Sequence, residues 1–316
     1  MLSIWIANGM DILFGDPDYL LHPVRIMGAY INVFDKYLSK RNKSKLYLRL
    51  SGAALVMTTV SLSYIITWLI LRLSLLLGHY FHKVINIFLL YTCLAGRCLH
   101  DEAFKIKNSL VRGESGIAGE QLSYIVGRDV DNLSENDIIK AVVETVSENT
   151  GDGIIAPLLY MFIGGAPLAM AYKAINTLDS MVGYKKGKYL DFGRASAIID
   201  DIANYIPSRL SAIFMIIAAF FMKLDYKNAY VAVKRDGKKH LSPNSGYPEA
   251  ATAGALNISL GGDSYYFGRK VKKVVIGDGV KEPAIDDIKG TVFLMYGVWA
   301  VALILFTIVK YFLKGF

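Results

Sequence analysis

The chain has 316 residues, 53% of them hydrophobic and 20% charged, with a formal net charge of +8 at neutral pH. Soluble domains run nearer about 45–50% apolar and about 25% charged, so the balance points to a protein embedded in a lipid bilayer. The lysines lie between apolar runs, which suits anionic headgroups and cytoplasmic loops and excludes nucleic acid as the expected partner.

The first apolar stretch, Met1–Phe14, lacks a basic leading region and contains Asn8 and Asp11, so it is not read as a cleavable signal. The segment Asp11–Gly28, DILFGDPDYLLHPVRIMG, sets Asp11, Asp16, His22 and Arg25 around two prolines. Arg25 is suited to a carboxylate or phosphate; His22, before Pro23, reads as a loop hydrogen-bonder or a substrate contact. From Asp16 to Arg49 the basic residues Arg25, Lys36, Lys40, Arg41, Lys43, Lys45 and Arg49 predict a cytoplasmic loop. Leu50–Leu77 is long enough to span and is broken only by Arg72. Val84–Leu94 returns as the other arm of a hairpin whose turn holds Gly78, His79, His82 and Lys83. Cys93 and Cys98 lack CxxC or Cys/His spacing and read as packing residues, with no metal site or disulfide framework.

The stretch from Arg97 to Asp152 is expected on the cytoplasmic side. Within it, Asn132–Ser147 reads as a helix capped by Ser134 with Asp137 three residues on. Glu144 and Glu148 share a face at i, i+4, and Asn149, Asp152 and Gly153 are expected to cap a turn. Two shorter apolar runs follow. Ile154–Ala171 is interrupted by Gly164, Gly165 and Pro167, and Ile206–Met222 begins at Pro207. If the first of these crossed the bilayer, Lys185, Lys186 and Lys188 would land outside, against the positive-inside rule. A re-entrant or interior placement is therefore favoured, since broken helices are tolerated where they line a cavity.

Polar stripes accompany these runs. Lys173, Asn176, Asp179 or Ser180, and Gly183 recur at helical spacing, opposite Ile175, Leu178 and Met181. A second stripe runs Asp200, Asp201, Asn204, Ser208, with Arg209 beside it. The segment Leu241–Gly262, LSPNSGYPEAATAGALNISLGG, makes a turn at Pro243, Asn244 and Gly246, and Glu249 then opens a helix of small residues that admits another backbone or a flat ligand. Val271–Ile276 is the best strand candidate, and Thr291–Phe312 is a second full-length span. No repeat or linker divides the chain, so a single domain over residues 1–316 is expected.

Ionisable groups beside membrane-compatible runs are costly and by default mark function. Oxygen ligands, amides and glycines together suit a hard divalent cation and a polyphosphate. Fingerprints of the common nucleotide and hydrolase sites (GxxxxGKS/T, strand-borne GxGxxG, GxSxG, HExxH) are missing.

Four ordered motifs, GDP…HPVRIMG, VGRDV…VETVSENTGDGIIAPLLY, YKAINTLDSMVGYK…FGRASAIIDDIANYIPSRL and SPNSGYPEAATAGALNISLGG…YFG, resemble the adenosylcobinamide-phosphate synthase family, membrane ligases of cobalamin biosynthesis. The serine in Pro207-Ser208-Arg209 and the stretch before His22 depart from the commonest family wording without removing a charged group. The resemblance implies an all-α, polytopic membrane protein with motif-bearing cytoplasmic loops. It implies ATP-dependent amide formation between adenosylcobyric acid and (R)-1-aminopropan-2-ol or its phosphate, with ATP and Mg2+ required and the corrinoid as substrate. Other enzymes of the cobalamin pathway are candidate partners.

A division of labour follows as expectation. Lys173, Asp179, Asp201 and Glu148 are the catalytic set; Asp152, Asp179, Asp200 and Asp201 are the pool of metal ligands. Arg25, His22, Arg128, Asn176, Arg209, Asn244 and Glu249 are expected to bind substrate, the last two against the corrinoid with the small-residue helix. The rival readings are a transporter, for which internal repetition is missing, and a non-catalytic relative, for which the motif carboxylates would have to be lost.

Overall fold

A computed structural model describes residues 1–17, 22–40, 43–130, 133–184, 187–266, 269–272 and 274–314. Arg41, Asn132, Lys185, Lys186 and the last two positions of the YFG motif, which figure in the sequence reading, lie outside them. The helices are α1 (Leu2–Phe14), α2 (Pro23–Leu38), α3 (Lys45–Leu76), α4 (His79–Tyr91), α5 (Gly96–Val111), α6 (Ser115–Ser123) and α7 (Glu135–Thr150). A π turn (Gly151–Ile155) leads into α8 (Ala156–Val182), then α9 (Tyr189–Phe192), α10 (Arg194–Ala203), α11 (Tyr205–Phe221), α12 (Tyr226–Asp236), α13 (Gly246–Leu256) and α14 (Ile285–Lys314). One antiparallel hairpin pairs β1 (Asp263–Tyr266) with β2 (Arg269–Lys272), Asp263 opposite Lys272, and Leu260 bridges Ile276. The expected strand at Val271–Ile276 is thus two separate pieces of this ribbon. The fold is helical with that one addition.

Two compact units are present, each assembled from two stretches of chain: Met1–Ala95 with Ala156–Asn204, and Gly96–Ile155 with Tyr205–Phe316.

In the first unit, Ile31, Leu48, Leu55, Leu178, Val182 and Phe192 form a buried core shared by α2, α3, α8 and α9. Gly52 is required there, because a Cβ would lie 1.8 Å from the Phe192 carbonyl oxygen. The 32-residue α3 carries Thr59, Ser63 and Thr67 on its buried side, and each hydroxyl donates to the carbonyl four residues back at 2.7 Å. Polar groups are thereby satisfied inside an apolar helix, as a bilayer requires. Arg72, the one charge in that run, lies 5.3 Å from the Trp68 ring centroid. The hairpin turn is confined to Leu77–Gly78, with Gly78 at φ 107. His79, His82 and Lys83 instead belong to α4, which at 13 residues is too short to span.

In the second unit, Gly96 opens α5 against Trp299 of α14, where a Cβ would come within 2.3 Å of the indole. The small residues of α13 accept α12: a Cβ on Gly254 would sit 2.6 Å from Ala229 Cα. That contact settles what the Gly254 face of α13 takes, which is another backbone rather than a flat ligand. The N-terminus of α7 carries the expected cap, Ser134 Oγ accepting from Asp137 N at 3.2 Å and Asp137 Oδ2 from Ser134 N at 3.3 Å.

Among the described residues, three helical runs are long and apolar enough to cross a membrane: Lys45–Leu76, Glu135–Val182 and Ile285–Leu313. The pair α10 and α11, bent by 45°, makes up to four if taken as one span. Three expectations are corrected. Asp16–Arg49 is mostly α2 and the start of α3, not a loop. Asn149, Asp152 and Gly153 do not cap a turn, because α7, the π turn and α8 run on without a loop. Glu144, Glu148, Lys173, Asp179, Asp200 and Asp201 therefore lie on helices, whereas Arg128, Asn244 and Ser245 lie in bends and turns. Within α8, Gly165 leaves helical geometry at φ 68 two residues before Pro167, whose ring cannot follow a regular turn. The interruption read from the sequence is there, as a break inside a longer helix.

Candidate active site

In the first unit the candidate residues gather on α8, α10 and the start of α2. Lys173, Asn176 and Asp179 follow one another along α8, with Lys173 only 9% exposed. Its carbonyl accepts from Thr177 Oγ1 at 2.7 Å, and its ammonium makes no hydrogen bond or ion pair with any described residue. A cation on a largely buried stem with no partner is available to an anion. The end of α10 is fixed onto α8 by a relay: Tyr172 Oη donates to Asn204 Oδ1 at 2.8 Å, and Asn204 Nδ2 donates to Asp200 Oδ2 at 3.0 Å. Tyr160 stacks on Tyr172, centroids 4.9 Å apart, and donates to the Ala203 carbonyl at 2.9 Å. Asp200 is buried and oriented, whereas Asp179 and Asp201 are partly open. Thus α10 presents two adjacent carboxylates in different surroundings.

His22 caps α2: its Nδ1 accepts from Val24 N at 3.3 Å and its Nε2 lies 3.2 Å from Asp16 Oδ1. His22 therefore caps α2 through Nδ1, while its buried Nε2 makes no hydrogen bond among the described residues. Arg25 is exposed one turn further on.

In the second unit a connected polar cluster joins α7, the start of α11 and the start of α13. Glu148 Oε1 accepts from Ser245 Oγ at 2.6 Å. Glu144 Oε1 accepts from the Gly261 amide at 2.8 Å, and its Oε2 lies 3.4 Å from Arg128 Nη1, both side chains nearly buried. Arg128, expected to hold substrate charge, thus already faces a carboxylate. Asp152 occupies the π turn, a feature common at functional sites because it interrupts the regular ladder. A Cβ on Gly151 in that turn would meet Ser211 Oγ of α11 at 3.3 Å.

Arg209 is held on every side. Its guanidinium lies 3.5 Å from the Tyr205 ring centroid and 4.3 Å from that of Tyr247. Nη1 donates to the Tyr205 carbonyl at 2.7 Å, to Ser208 Oγ at 3.1 Å and to Asn244 Oδ1 at 3.2 Å. No described carboxylate pairs with it. A guanidinium fixed by stacking and neutral acceptors is prepared for an anion. Deeper in, Glu249 is buried with its Oε1 3.8 Å from His240 Nε2. His240 Nδ1 accepts from Ser242 N at 3.0 Å, which leaves its ring proton on Nε2, towards Glu249.

Of the second stripe, Asp200, Asp201 and Asn204 belong to the first unit, and Ser208 and Arg209 to the second. Sequence reasoning assigned no site role to Glu144, Ser245 or His240. Glu144 had a signal in its i, i+4 spacing to Glu148, and Ser245 in its place within the Pro-Asn-Ser-Gly turn. His240 had none.

Among the described residues, no three His, Cys, Asp or Glu side chains come together as a metal-binding group. Magnesium bound with nucleotide keeps several waters and takes one or two carboxylates plus phosphate oxygens. One or two oriented carboxylates such as Asp200 and Asp201 suit that mode.

The family model described as CobD/Cbib protein matches residues 4–295. A cobalamin biosynthesis protein CobD of Geobacter metallireducens is 48% identical over 288 residues, covering 91% of this chain and 90% of that protein. The CobD of Klebsiella pneumoniae is 43% identical over 315 residues, covering 100% and 99%. A cobalamin biosynthesis protein CbiB of Salmonella arizonae is 42% identical over 315 residues with the same coverage. No solved structure matches the chain.

Proposed function

The chain belongs to the CobD/CbiB family, and on that premise we propose that it acts in cobalamin biosynthesis as an ATP-dependent amide synthase. It joins the free propionate carboxyl of adenosylcobyric acid to (R)-1-aminopropan-2-ol or its phosphate. It does so in the cell membrane, as a multi-pass protein with its polar motifs towards the cytoplasm. The observation that carries this reading is Lys173, a largely buried side chain whose ammonium has no anionic partner among the described residues. The reaction supplies anions of the right kind: a carboxylate and a nucleotide polyphosphate.

A carboxylate does not condense with an amine in water unless it is activated. In the proposed course a propionate oxygen attacks the γ-phosphorus of ATP, and ADP leaves. The amine nitrogen then attacks the acyl carbon, phosphate departs with that oxygen, and the nitrogen gives its proton to a base. Lys173 stabilises the phosphate and acyl-phosphate charge, and Arg209 is a proposed substrate contact in its own unit. Glu148, Asp179 and Asp201 are the pool from which the base is drawn, with Ser245 orienting Glu148. Magnesium accompanying ATP would neutralise phosphate charge, held through Asp152, Asp179, Asp200 or Asp201. Asn176, Asn244 and Glu249 supply polar contacts to substrate, and Arg25 the contact to an amino alcohol phosphate.

The test is incubation of the detergent-purified protein with adenosylcobyric acid, magnesium-ATP and either amino alcohol or its phosphate, with products read by mass spectrometry. An amide product that requires ATP supports the proposal, and the two amines tell which form is used. Protein that binds the corrinoid and makes no product with either amine would overturn it.

A further inference from the structure

In the second unit, an open cavity of about 620 Å³ lies where α11 ends, α12 begins, α13 ends and α14 begins. Lys223, Lys227 and Lys281 line it together with Asp225, Asn257 and Asp287. The two carboxylates are committed to the fold. Asp225 Oδ1 caps α12 by accepting from Asn228 N at 2.9 Å, and its Oδ2 accepts from Asn257 at 3.4 Å. Asp287 takes Lys281 Nζ at 2.6 Å and the Ala284 amide at 2.8 Å. Lys223 and Lys227 have no acidic partner among the described residues. The lining therefore carries a net positive charge, with Lys223 and Lys227 as the two ammonium groups not held in an ion pair.

Lys223 (φ 59) and Asn257 (φ 57), which both line this cavity, are the left-handed caps that end α11 and α13, Leu224 N donating to the Ala219 carbonyl at 2.9 Å.

The surroundings indicate the occupant. Phe220 and Phe221, just before Lys223, are 56% and 72% exposed, and Phe293 on α14 is 45% exposed beneath Lys289, whose Nζ lies 5.4 Å from the ring. A Cβ on Gly297 would meet Ala218 at 3.2 Å, so α11 and α14 pack closely next to the cavity. Cations at the end of a packed apolar pair, above exposed aromatic rings, are the arrangement that receives a charged headgroup while its chains lie along the helices. Resting on the membrane placement proposed above, we propose that this cavity binds the phosphate headgroup of an anionic phospholipid, with Lys223 and Lys227 supplying the charge and Phe220 and Phe221 contacting the acyl chains.

The test compares full-length wild-type protein with the Lys223→Gln/Lys227→Gln variant in nanodiscs of mixed phosphatidylglycerol and phosphatidylcholine, retained lipid being read by native mass spectrometry. Wild type is expected to retain phosphatidylglycerol about tenfold over phosphatidylcholine, and the variant to lose that preference. A Lys36→Gln/Lys83→Gln control, which removes equal charge elsewhere, should keep it. Soluble glycerol phosphate should not displace the lipid; displacement would assign the cavity to a free phosphate ester and overturn the lipid proposal. Retention by the cavity variant, or no preference in wild type, would also overturn it. Carbonate extraction separates the two readings. Protein released by carbonate removes the membrane placement itself, whereas protein that stays in the bilayer without lipid preference removes only the headgroup site.

Discussion

Ser245 donates to Glu148 at 2.6 Å across 97 residues of sequence, joining the polar end of α7 to the turn that opens α13. A hydrogen bond to a charged acceptor is worth about 1.5–3 kcal/mol. Ser245→Ala should therefore lower kcat/KM for amide formation by about tenfold to a hundredfold, and Ser245→Thr, which keeps the hydroxyl, should recover most of it. Equal activity in the alanine variant would remove Glu148 from the reaction.

Arg209 is stacked between Tyr205 and Tyr247 and bonded to Asn244. Lysine cannot reproduce a planar stacked fork. Arg209→Lys should raise KM for the anionic substrate about tenfold or more in steady-state assays, with the thermal midpoint little changed. A variant with wild-type KM would make this arginine structural.

Lys173→Met should abolish turnover without unfolding the protein, because methionine keeps the buried apolar stem and no ion pair is lost. The same substitution at a merely structural lysine would lower the thermal midpoint. Asp179→Asn should likewise abolish turnover with protein still recovered from the membrane; retained activity would take Asp179 out of the site.

The two cysteines should differ sharply in reactivity. Burial pushes the Cys93 thiol up to about 12, with the Lys173 charge opposing it only in part, while Cys98 is exposed. The thiolate is the reactive form. Maleimide at neutral pH should label one cysteine per chain, and Cys98→Ser should abolish that labelling; two labels on folded protein would contradict the packing around Cys93.

Asp236, at the end of α12, is buried and would titrate high on that account. Arg235, Lys239 and the Gly277 amide outweigh burial and hold its carboxyl well below the usual carboxylate range. A carboxyl depressed in the folded state stabilises above its unfolded pKa, about 3.9, and loses that contribution as pH falls towards the folded value. Asp236→Asn should cost about 3 kcal/mol near neutral pH. The gap in thermal midpoint from wild type should narrow below about pH 4; a gap independent of pH would place the effect in packing.

The helices α3 and α14 were legible because an uninterrupted apolar run of spanning length has few alternatives, and α7 because Ser134 and Asp137 announce its start. The motif segments misled in one respect. Glycines and carboxylates at 148–153 read as a turn, yet Gly151 and Gly153 sit in a π turn of a continuing helix, where the small size of Gly151 admits Ser211 of α11. The division between the units at Asn204 had no sequence signal, since residues on both sides are helical. No linker marks the two units because the chain passes between them three times within helical stretches or short joints. Candidate residues could be named from composition, but their partners, such as Gly261 for Glu144 and Ser245 for Glu148, depend on contacts 117 and 97 residues apart.

The most direct test follows the carboxylate oxygens. Adenosylcobyric acid labelled with oxygen-18 at both propionate carboxyl oxygens would be converted in the presence of magnesium-ATP and the amine that the protein accepts. Activation as an acyl phosphate predicts one labelled oxygen in inorganic phosphate for each amide formed, with the other retained in the amide. Label in AMP, or amide formed with unlabelled phosphate, would contradict the account.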